Sequence, residues 1–468
     1  MNINTYITAL TQYGLSKGLF QPCDKIIIIR QLLDILMLTD YEPVETRLLP
    51  LEDILNGLTV DAISRRVCND DNASRDLFST KLMGVMTPPP KDVIKNFYDM
   101  YEQSPETATN WYYCFSQDTD YIRRYRIQKD IRWKTATEYG NLDITINLSK
   151  PEKNAMVITA AGQNHRAIPL LLDNEEWYMQ YSPHVCYPEH CIVFNGGHTP
   201  MVINKATLNK LLDFVTKFPH YFIGSNADLP ILGSKNLTYE HFQGGHYSFP
   251  IARAPIEQKI FFCNYEDISA GIVKWPMSVI RLSSTNKERL SDLATKILLC
   301  WRIYNDKKAF IFSKTDNEPH NTITPIARRR GTDYELDLVL RNNITTKEHP
   351  LGFFHPHAEL HHIKKDNIGL IEVMGLAVLP ARLKQELTDI EQAIICGTPL
   401  EGELSKHEAW VFELNQKYTF SPENIDSILK VEIGKVFTQA LKHAGVFKHT
   451  PEGVEAFSRF IEYVNQEE

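Results

Sequence analysis

The residues best suited to covalent chemistry lie in the run His241-Phe-Gln-Gly-Gly-His246. An imidazole with an ordinary pKa of about 6.5 keeps one ring nitrogen free at neutral pH, so His241 is a candidate nucleophile. Residues 237–243 read as a strand, and alternation along a strand puts Tyr239, His241 and Gln243 on one face. Gln243 can then donate to a phosphate oxygen as charge develops there. The alternative is two buried histidines beside a Gly-Gly turn.

A loop suited to phosphate precedes this run. Gly233 lets the backbone approach a ligand without a Cβ in the way. Ser234 offers a hydroxyl and Lys235 a point charge, and both groups suit phosphate oxygens. The loop and the histidine run together indicate a site where chemistry takes place at phosphorus.

The composition is that of a folded protein without a strongly charged partner. The chain has 468 residues, enough for two or three structural units, with 43% hydrophobic and 23% charged residues. Its net charge of −8 argues against nucleic acid or an anionic membrane as a partner. The chain lacks a signal-peptide layout and its apolar runs are too short for a bilayer, so we expect a cytoplasmic location. Eight cysteines without a Cys-x-x-Cys pair predict reduced thiols.

Changes in apolar spacing predict a strand-rich body between helical ends. Helical spacing covers the start of the chain, as in Ile3, Ile7 and Leu10, and returns after Pro380. Between these ends the period becomes two, most clearly over residues 142–148 and 336–340. We expect four parts: a helical N-terminal extension (1–118), a first half (119–250), a second half (251–380) and C-terminal helices (381–468).

The histidine run also carries a likeness to a known family. Asp228-Leu-Pro-Ile231 followed by His241–His246 resembles the signature of class II galactose-1-phosphate uridylyltransferases, the class found in Gram-positive bacteria. Further segments between residues 120 and 380 resemble the same family: Tyr181-Ser-Pro183, Glu189–Phe194, Gly197–Met201, Pro319–Pro325 and His355–Ala377. The resemblance implies an α+β fold of two related histidine-triad-like antiparallel sheet halves, with helical extensions at both ends.

The resemblance implies uridylyl transfer in two steps, carried by a catalytic and nucleotide-binding first half. His241 attacks the α-phosphorus of UDP-glucose and glucose 1-phosphate leaves; galactose 1-phosphate then collects the uridylyl group as UDP-galactose. Gln243 holds the transferred phosphate. The implied partners are these UDP-sugars and hexose 1-phosphates. No cofactor is required for the chemistry, and a homodimer is left open.

By the same resemblance, further residues bind the substrates. Asn226 matches the motif asparagine ahead of the glycine loop, and Asn164 lies in a segment that resembles the strand in contact with uridine. Arg123 and Arg126 are expected at the diphosphate, and Glu372 is expected at the hexose hydroxyls, on a strand of the second half. The alternatives are a structural turn for Asn164 and plain surface exposure for the two arginines.

The resemblance also implies a metal site in the second half. Related transferases gather three histidines and one carboxylate, a set that suits structural iron or zinc. The matching positions in this chain are Glu257, His320, His355 and His357, and the spacing of the last two predicts that they share one face of a short strand. A different set of potential ligands is assigned to packing, since adjacent residues of a strand point to opposite faces: His184, Cys186, His190 and Cys191.

The chain departs from the family pattern around the nucleophile. Tyr239 stands where the family has the first histidine of its motif, and Lys235 stands where it has a serine. The family's Cys-x-x-Cys is absent, which leaves His198 as the one trace of a second metal site. Because His241 and Gln243 are kept, we expect an active transferase. Two alternatives stay open: a transferase or hydrolase of the same mechanism acting on another sugar phosphate, and a nucleotide-sugar sensor without turnover.

Overall fold

The chain forms two compact units. A computed structural model describes residues 2–148, 163–197, 199–233 and 237–467. The units are Met1–Lys129 with Lys153–Pro169 and Met179–Val185, and Asp130–Glu152 with Leu170–Tyr178 and Cys186–Glu468. Residues 250 and 380, where boundaries are expected, both lie inside the second unit, and one sheet joins the two halves across residue 250. Within the described ranges, no helix is both long and apolar enough to span a bilayer.

The first unit is helical, as the N-terminal spacing predicts. Asn2, Asp71 and Ser104 act as N-caps, each accepting a backbone N–H from the first turn of its helix. Asp24 precedes a helix without capping it, because its carboxylate accepts the N–H of Gln21, the residue before the 3₁₀ turn Pro22–Asp24. The helices are α1 (Ile3–Ser16), α2 (Lys25–Leu36), α3 (Leu51–Ser64), α4 (Asn72–Met86), α5 (Pro90–Tyr101), α6 (Pro105–Asp118) and α7 (Arg124–Ile127).

Strands dominate the body, with helices between and after them. The strands are β1 (Ile131–Thr137), β2 (Gly140–Asn147), β3 (Ile168–Leu172), β4 (Glu175–Tyr181), β5 (Cys191–Asn195), β6 (Phe222–Ser225), β7 (His241–Gly245), β8 (Ile256–Ile260), β9 (Ser269–Val273), β10 (Val279–Ser284), β11 (Lys314–Thr315), β12 (Glu318–Pro319), β13 (Asn321–Arg330), β14 (Asp333–Asn342) and β15 (Leu376–Pro380). The helices are α8 (Lys205–Lys217), α9 (Pro250–Arg253), α10 (Lys287–Ile303), α11 (Leu370–Val373), α12 (Arg382–Cys396), α13 (Glu408–Lys417), α14 (Ile425–Ala444) and α15 (Pro451–Gln466). Short 3₁₀ turns cover Pro22–Asp24, Lys307–Ala309, Ala358–Leu360 and Gly402–His407.

A ten-stranded sheet shows that the body is duplicated. Its strand order is β3-β4-β5-β7-β6-β13-β14-β10-β9-β8. Both halves place their five strands in the same order, first, second, third, fifth and fourth, and both insert a long helix, α8 or α10, between the third and fourth strands. The halves meet where β6 and β13 pair antiparallel, with Gly224 opposite Ile326. The expected α+β fold with two related antiparallel halves is confirmed.

The C-terminal helices pack on a second, smaller sheet. This sheet has the order β1-β2-β15, with β15 parallel to β2. Alternate residues of β2, among them Leu142, Ile144 and Ile146, are buried in a core shared with α12 and α14. At Gly434 of α14 a Cβ would lie 2.3 Å from the Thr135 hydroxyl, so only glycine allows this close approach of helix and strand. The helical end of the chain is therefore part of the core of the second unit.

Candidate functional site

Strand β7 sets the directions of the two candidate catalytic side chains. It pairs with β5 on one side, with His241 opposite Phe194, and with β6 on the other. Because side chains alternate along a strand, His241 and Gln243 point to one face and Phe242 to the other. Phe242 is buried and stacks on Trp177, with 4.8 Å between ring centroids. This apolar contact fixes the face on which His241 and Gln243 lie.

The strand is shorter than the sequence pattern predicts. It begins at His241, not at residue 237. Residues 237 and 240 instead bond with the segment before α8: Leu237 accepts the N–H of Met201, and Glu240 donates its N–H to Thr199. Tyr239 therefore precedes the strand, and the prediction that it shares a face of that strand with His241 is wrong.

A backbone carbonyl fixes the tautomer of His241. Its Nδ1 lies 2.9 Å from the carbonyl oxygen of Tyr239. Since a carbonyl only accepts, Nδ1 carries the proton and Nε2 keeps its lone pair. Burial lowers the pKa of His241 although this hydrogen bond favours the charged ring, so the ring is neutral at pH 7. The residue is 6% exposed and presents a neutral imidazole with a free Nε2.

Gln243 is positioned by a residue that sequence reasoning assigned to packing. His190 Nε2 lies 3.0 Å from the Oε1 of Gln243, so a proton on that nitrogen holds the amide oxygen and leaves the NH₂ group to donate elsewhere. The position of His190 in the sequence could have indicated this contact, because His190 immediately precedes β5, the strand that pairs with β7. His246 lies beyond the strand with Nδ1 3.4 Å from a carboxylate oxygen of Glu189, which distinguishes it from His241.

The glycine loop and Asn226 meet at the start of α11. Asn226 Oδ1 accepts the N–H of Leu370 at 2.9 Å. Gly233 has φ of +143°, and a Cβ on it would lie 2.9 Å from the same oxygen, so a side chain there is excluded on two grounds. The structure thus brings Asn226 and Gly233 together, and a contact of either residue with substrate stays a prediction. Ser234, Lys235 and His198 lie outside the described residues.

Glu372 lies in helix α11, so its predicted place on a strand is wrong. Its carboxylate accepts the backbone N–H of Gly369 at 3.2 Å and a hydrogen bond from Lys364 at 3.0 Å. Both contacts cap and brace the short helix whose first residue is bonded to Asn226. A contact of Glu372 with hexose hydroxyls stays a prediction.

The three remaining candidates belong to the first unit and bond within it. Asn164 lies in a turn, not a strand, and its amide donates to the carbonyl of Thr119 at 2.9 Å. Arg123 pairs with Asp76 at 2.5 Å, and Arg126 pairs with the same carboxylate. These ion pairs occupy both guanidinium groups in this structure. Contacts of the three residues with uridine or diphosphate stay predictions.

The four residues expected to bind metal make other contacts in this structure, and their binding of one ion stays a prediction. Both ring nitrogens of His320 are hydrogen bonded, to Asn343 at 2.7 Å and to Thr315 at 3.0 Å. His355 likewise bonds the Pro356 carbonyl at 3.0 Å and Asn367 at 3.2 Å, and Glu257 is exposed on β8. His355 and His357 precede a 3₁₀ turn and are not on a strand, because Pro356 between them has no N–H for a ladder.

Comparisons with known proteins find the same family that the histidine run resembles. Residues 46–200 match the family model described as galactose-1-phosphate uridyl transferase, N-terminal domain, and residues 214–411 match the corresponding C-terminal domain. The galactose-1-phosphate uridylyltransferase of Clostridium acetobutylicum is 49% identical, covering 98% of this chain and 99% of its own. The enzymes of that name from Halalkalibacterium halodurans and Bacillus subtilis are 46% and 44% identical, covering 99% of this chain and 99% and 98% of theirs. Among solved structures, yeast Ap4A phosphorylase Apa2 aligns with 64% of this chain and 90% of its own at 11% identity and a TM-score of 0.34.

Proposed function

The chain belongs to the galactose-1-phosphate uridylyltransferase family, and from this premise we propose that it moves a uridylyl group between UDP-glucose and galactose 1-phosphate through His241. The observation that carries the proposal is the hydrogen bond from His241 Nδ1 to the Tyr239 carbonyl, which leaves Nε2 with a lone pair. A neutral, buried imidazole held in one tautomer is a nucleophile that needs no further deprotonation.

In the first step, Nε2 attacks the α-phosphorus of UDP-glucose. The bond from that phosphorus to the bridging oxygen breaks, and glucose 1-phosphate leaves with the electron pair. The ring becomes cationic as the new N–P bond forms, and its Nδ1–H strengthens the bond to the Tyr239 carbonyl. In the second step, a phosphate oxygen of galactose 1-phosphate attacks the same phosphorus, and the N–P electrons return to the ring.

This arrangement accounts for the departure at Tyr239. The nucleophile is oriented by the backbone carbonyl of that residue, and any amino acid at the position supplies a carbonyl. The side chain that the family has there is therefore not needed for the tautomer. The departure is compatible with an active transferase and does not by itself favour a sensor.

Gln243 supplies the complementary donor. With its amide oxygen held by His190 at 3.0 Å, its NH₂ group is free to turn toward a non-bridging oxygen of the transferred phosphate. Charge builds on that oxygen in the transition state, so a fixed donor there lowers the barrier. His190 is a positioning residue in this account, because it acts through Gln243.

The activity is tested by following both products. The full chain is incubated with UDP-glucose and galactose 1-phosphate, and formation of UDP-galactose with equal glucose 1-phosphate is measured by chromatography. Parallel reactions contain a different hexose 1-phosphate or no acceptor. Transfer to galactose 1-phosphate supports the proposal. Faster transfer to the other acceptor, or release of UMP to water alone, would replace it by one of the alternatives of the same mechanism. Binding without any product would support the sensor.

A further inference from the structure

The residue immediately before the proposed nucleophile carries a buried charge. Glu240 is 6% exposed, and its two carboxylate oxygens lie 3.3 and 3.5 Å from Nζ of Lys210 in α8. Lys210 is 5% exposed, and its Nζ also lies 2.8 Å from a carboxylate oxygen of Glu175. Two buried charges in contact are uncommon, because each loses hydration that the other only partly replaces.

The ion pair lies on the side of the sheet opposite to the imidazole. Lys210 Nζ is 4.9 Å from the centroid of the Trp177 ring, on which Phe242 stacks. Phe242 and His241 point to opposite faces of β7. The ion pair is therefore on the Phe242 side of the strand, away from the His241 imidazole. It is placed to hold the backbone next to His241.

One peptide unit connects this ion pair to the tautomer of His241. The unit joins the Tyr239 carbonyl to the Glu240 N–H, and a planar trans peptide directs these two groups in opposite directions. The N–H donates to the Thr199 carbonyl at 2.8 Å, while the C=O accepts from Nδ1 of His241 at 2.9 Å. The Glu240 carbonyl in turn accepts the N–H of Asn195 at 3.3 Å. The contacts that hold Glu240 therefore also set the direction of the carbonyl that orients the imidazole.

We propose that Lys210 and Glu240 are positioning residues of the transfer reaction: their ion pair holds the peptide whose carbonyl keeps the proton on Nδ1 of His241 and the lone pair on Nε2. The proposal rests on the proposed function of His241. A buried ion pair adds little to stability relative to apolar side chains of similar volume, but it fixes the arrangement of its two partners. That property suits a backbone that must present one carbonyl in one direction.

Loss of the ion pair should allow the peptide to rotate. The imidazole can then carry its proton on Nε2, and in that tautomer the attacking nitrogen has no lone pair. The fraction of competent enzyme falls, so kcat should fall while the KM for UDP-glucose stays unchanged. An ion pair with a structural role alone would change the stability of the chain and leave the tautomer as it is.

The test variant combines Lys210→Met with Glu240→Gln, because removing both charges leaves neither one buried alone. Glu240→Gln by itself is the second variant, since it keeps the size of the side chain where the double change prevents folding. The matched control combines Asp213→Asn with Lys287→Met, which removes an ion pair between α8 and α10.

Ring ¹⁵N chemical shifts of the histidine-labelled full chain report the tautomer directly. They distinguish a protonated ring nitrogen from one with a lone pair, and are recorded at a pH of about 8, where an ordinary imidazole is neutral. The signals of His241 are assigned by comparison with His241→Ala. Steady-state kinetics then give kcat and the KM for UDP-glucose for each form of the protein.

In wild type and control we expect a protonated Nδ1 and an unprotonated Nε2 on His241. In the test variant we expect signals of both tautomers, with kcat lower by roughly 10- to 10²-fold and KM unchanged, and in Glu240→Gln a smaller change in the same direction. Unchanged His241 signals in the folded variants, or the same change in the control, would overturn the proposal. Because the signals need no turnover, a changed tautomer in a chain that transfers no uridylyl group would contradict the transfer activity and still support the positioning role.

Discussion

The fifth strands of the two sheet halves, β7 and β14, occupy equivalent places in the strand order and carry different chemistry. Strand β7 presents the neutral His241, held by a backbone carbonyl, and Gln243 beside it. Strand β14 presents Glu335 and Asp337, and both carboxylates are buried and ion paired. One strand order therefore carries the proposed nucleophile in the first half and an ion-pair network in the second.

The buried charges of the network on β14 pair with one another. Arg281 donates to both oxygens of Asp337, at 2.6 and 2.9 Å, and Arg328 bonds Asp337 and also Glu335, the latter at 2.6 Å. Although burial raises it, Arg328 and Arg281 together hold the pKa of Asp337 below its usual value. Charges satisfied in this way are structural, whereas the Nε2 of His241 makes no hydrogen bond with the residues that the structure describes. The difference teaches that function follows from the side chains and not from the shared topology.

The largest expected effect is loss of transfer activity through a change in the first half. Replacing His241 by alanine removes the nucleophile, and we expect the transfer rate to fall by roughly 10³–10⁶-fold with an unchanged unfolding temperature. His246→Ala is the matched control, since this residue lies in the same run and bonds Glu189. Steady-state rates of both variants check the assignment, which fails if His246→Ala is the variant that loses activity.

The corresponding change in the second half should act on stability. Asp337→Asn leaves the buried Arg281 and Arg328 without a full counter-charge, and we expect it to lower the free energy of unfolding by about 3–5 kcal/mol. Asp267→Asn, in a solvent-exposed pair with Arg289, should cost far less. Urea unfolding followed by tryptophan fluorescence measures both. Similar losses in the two variants would refute the comparison.

A smaller catalytic effect is expected at Gln243. Gln243→Ala removes a donor aimed at the developing phosphate charge, and we expect the rate to fall by about 10²–10³-fold. His190→Ala should reproduce part of that loss, because it frees the amide to rotate. The two substitutions together should then cost little more than Gln243→Ala alone, and additive losses would show that His190 acts independently.

The smallest effect concerns pH. Because burial lowers the pKa of His241, the ring stays neutral below the ordinary value of about 6.5, and the acid limb of UDP-glucose consumption should have its midpoint below that value. The same shift affects stability, because His241 binds a proton more readily in the unfolded chain than in the folded one. Its contribution to the free energy of unfolding is therefore present above a pH of about 6.5 and is lost as the pH falls. A midpoint at or above about 6.5 would contradict the burial of the nucleophile.

The parts of the fold with strong periodicity followed from the sequence. Helix α1 and strands β2 and β14 lie where the apolar spacing puts them, and the proposed role of His241 comes from its motif. The orientation of His241 did not, because a carbonyl at Tyr239 leaves no trace in side-chain identity. Glu372 was placed on a strand by the family resemblance and His355 by its spacing from His357, but the short helix α11 and Pro356 interrupt that part of the second half.

The neutral Nε2 of His241 is expected to form a covalent uridylyl intermediate. With UDP-glucose alone, the full chain should exchange labelled glucose 1-phosphate into UDP-glucose and accumulate one acid-labile uridylyl group, located on His241 by mass spectrometry of the corresponding peptide. Galactose 1-phosphate should then discharge that group as UDP-galactose. Transfer that requires both substrates at once, with no exchange and no adduct on His241, would contradict the account.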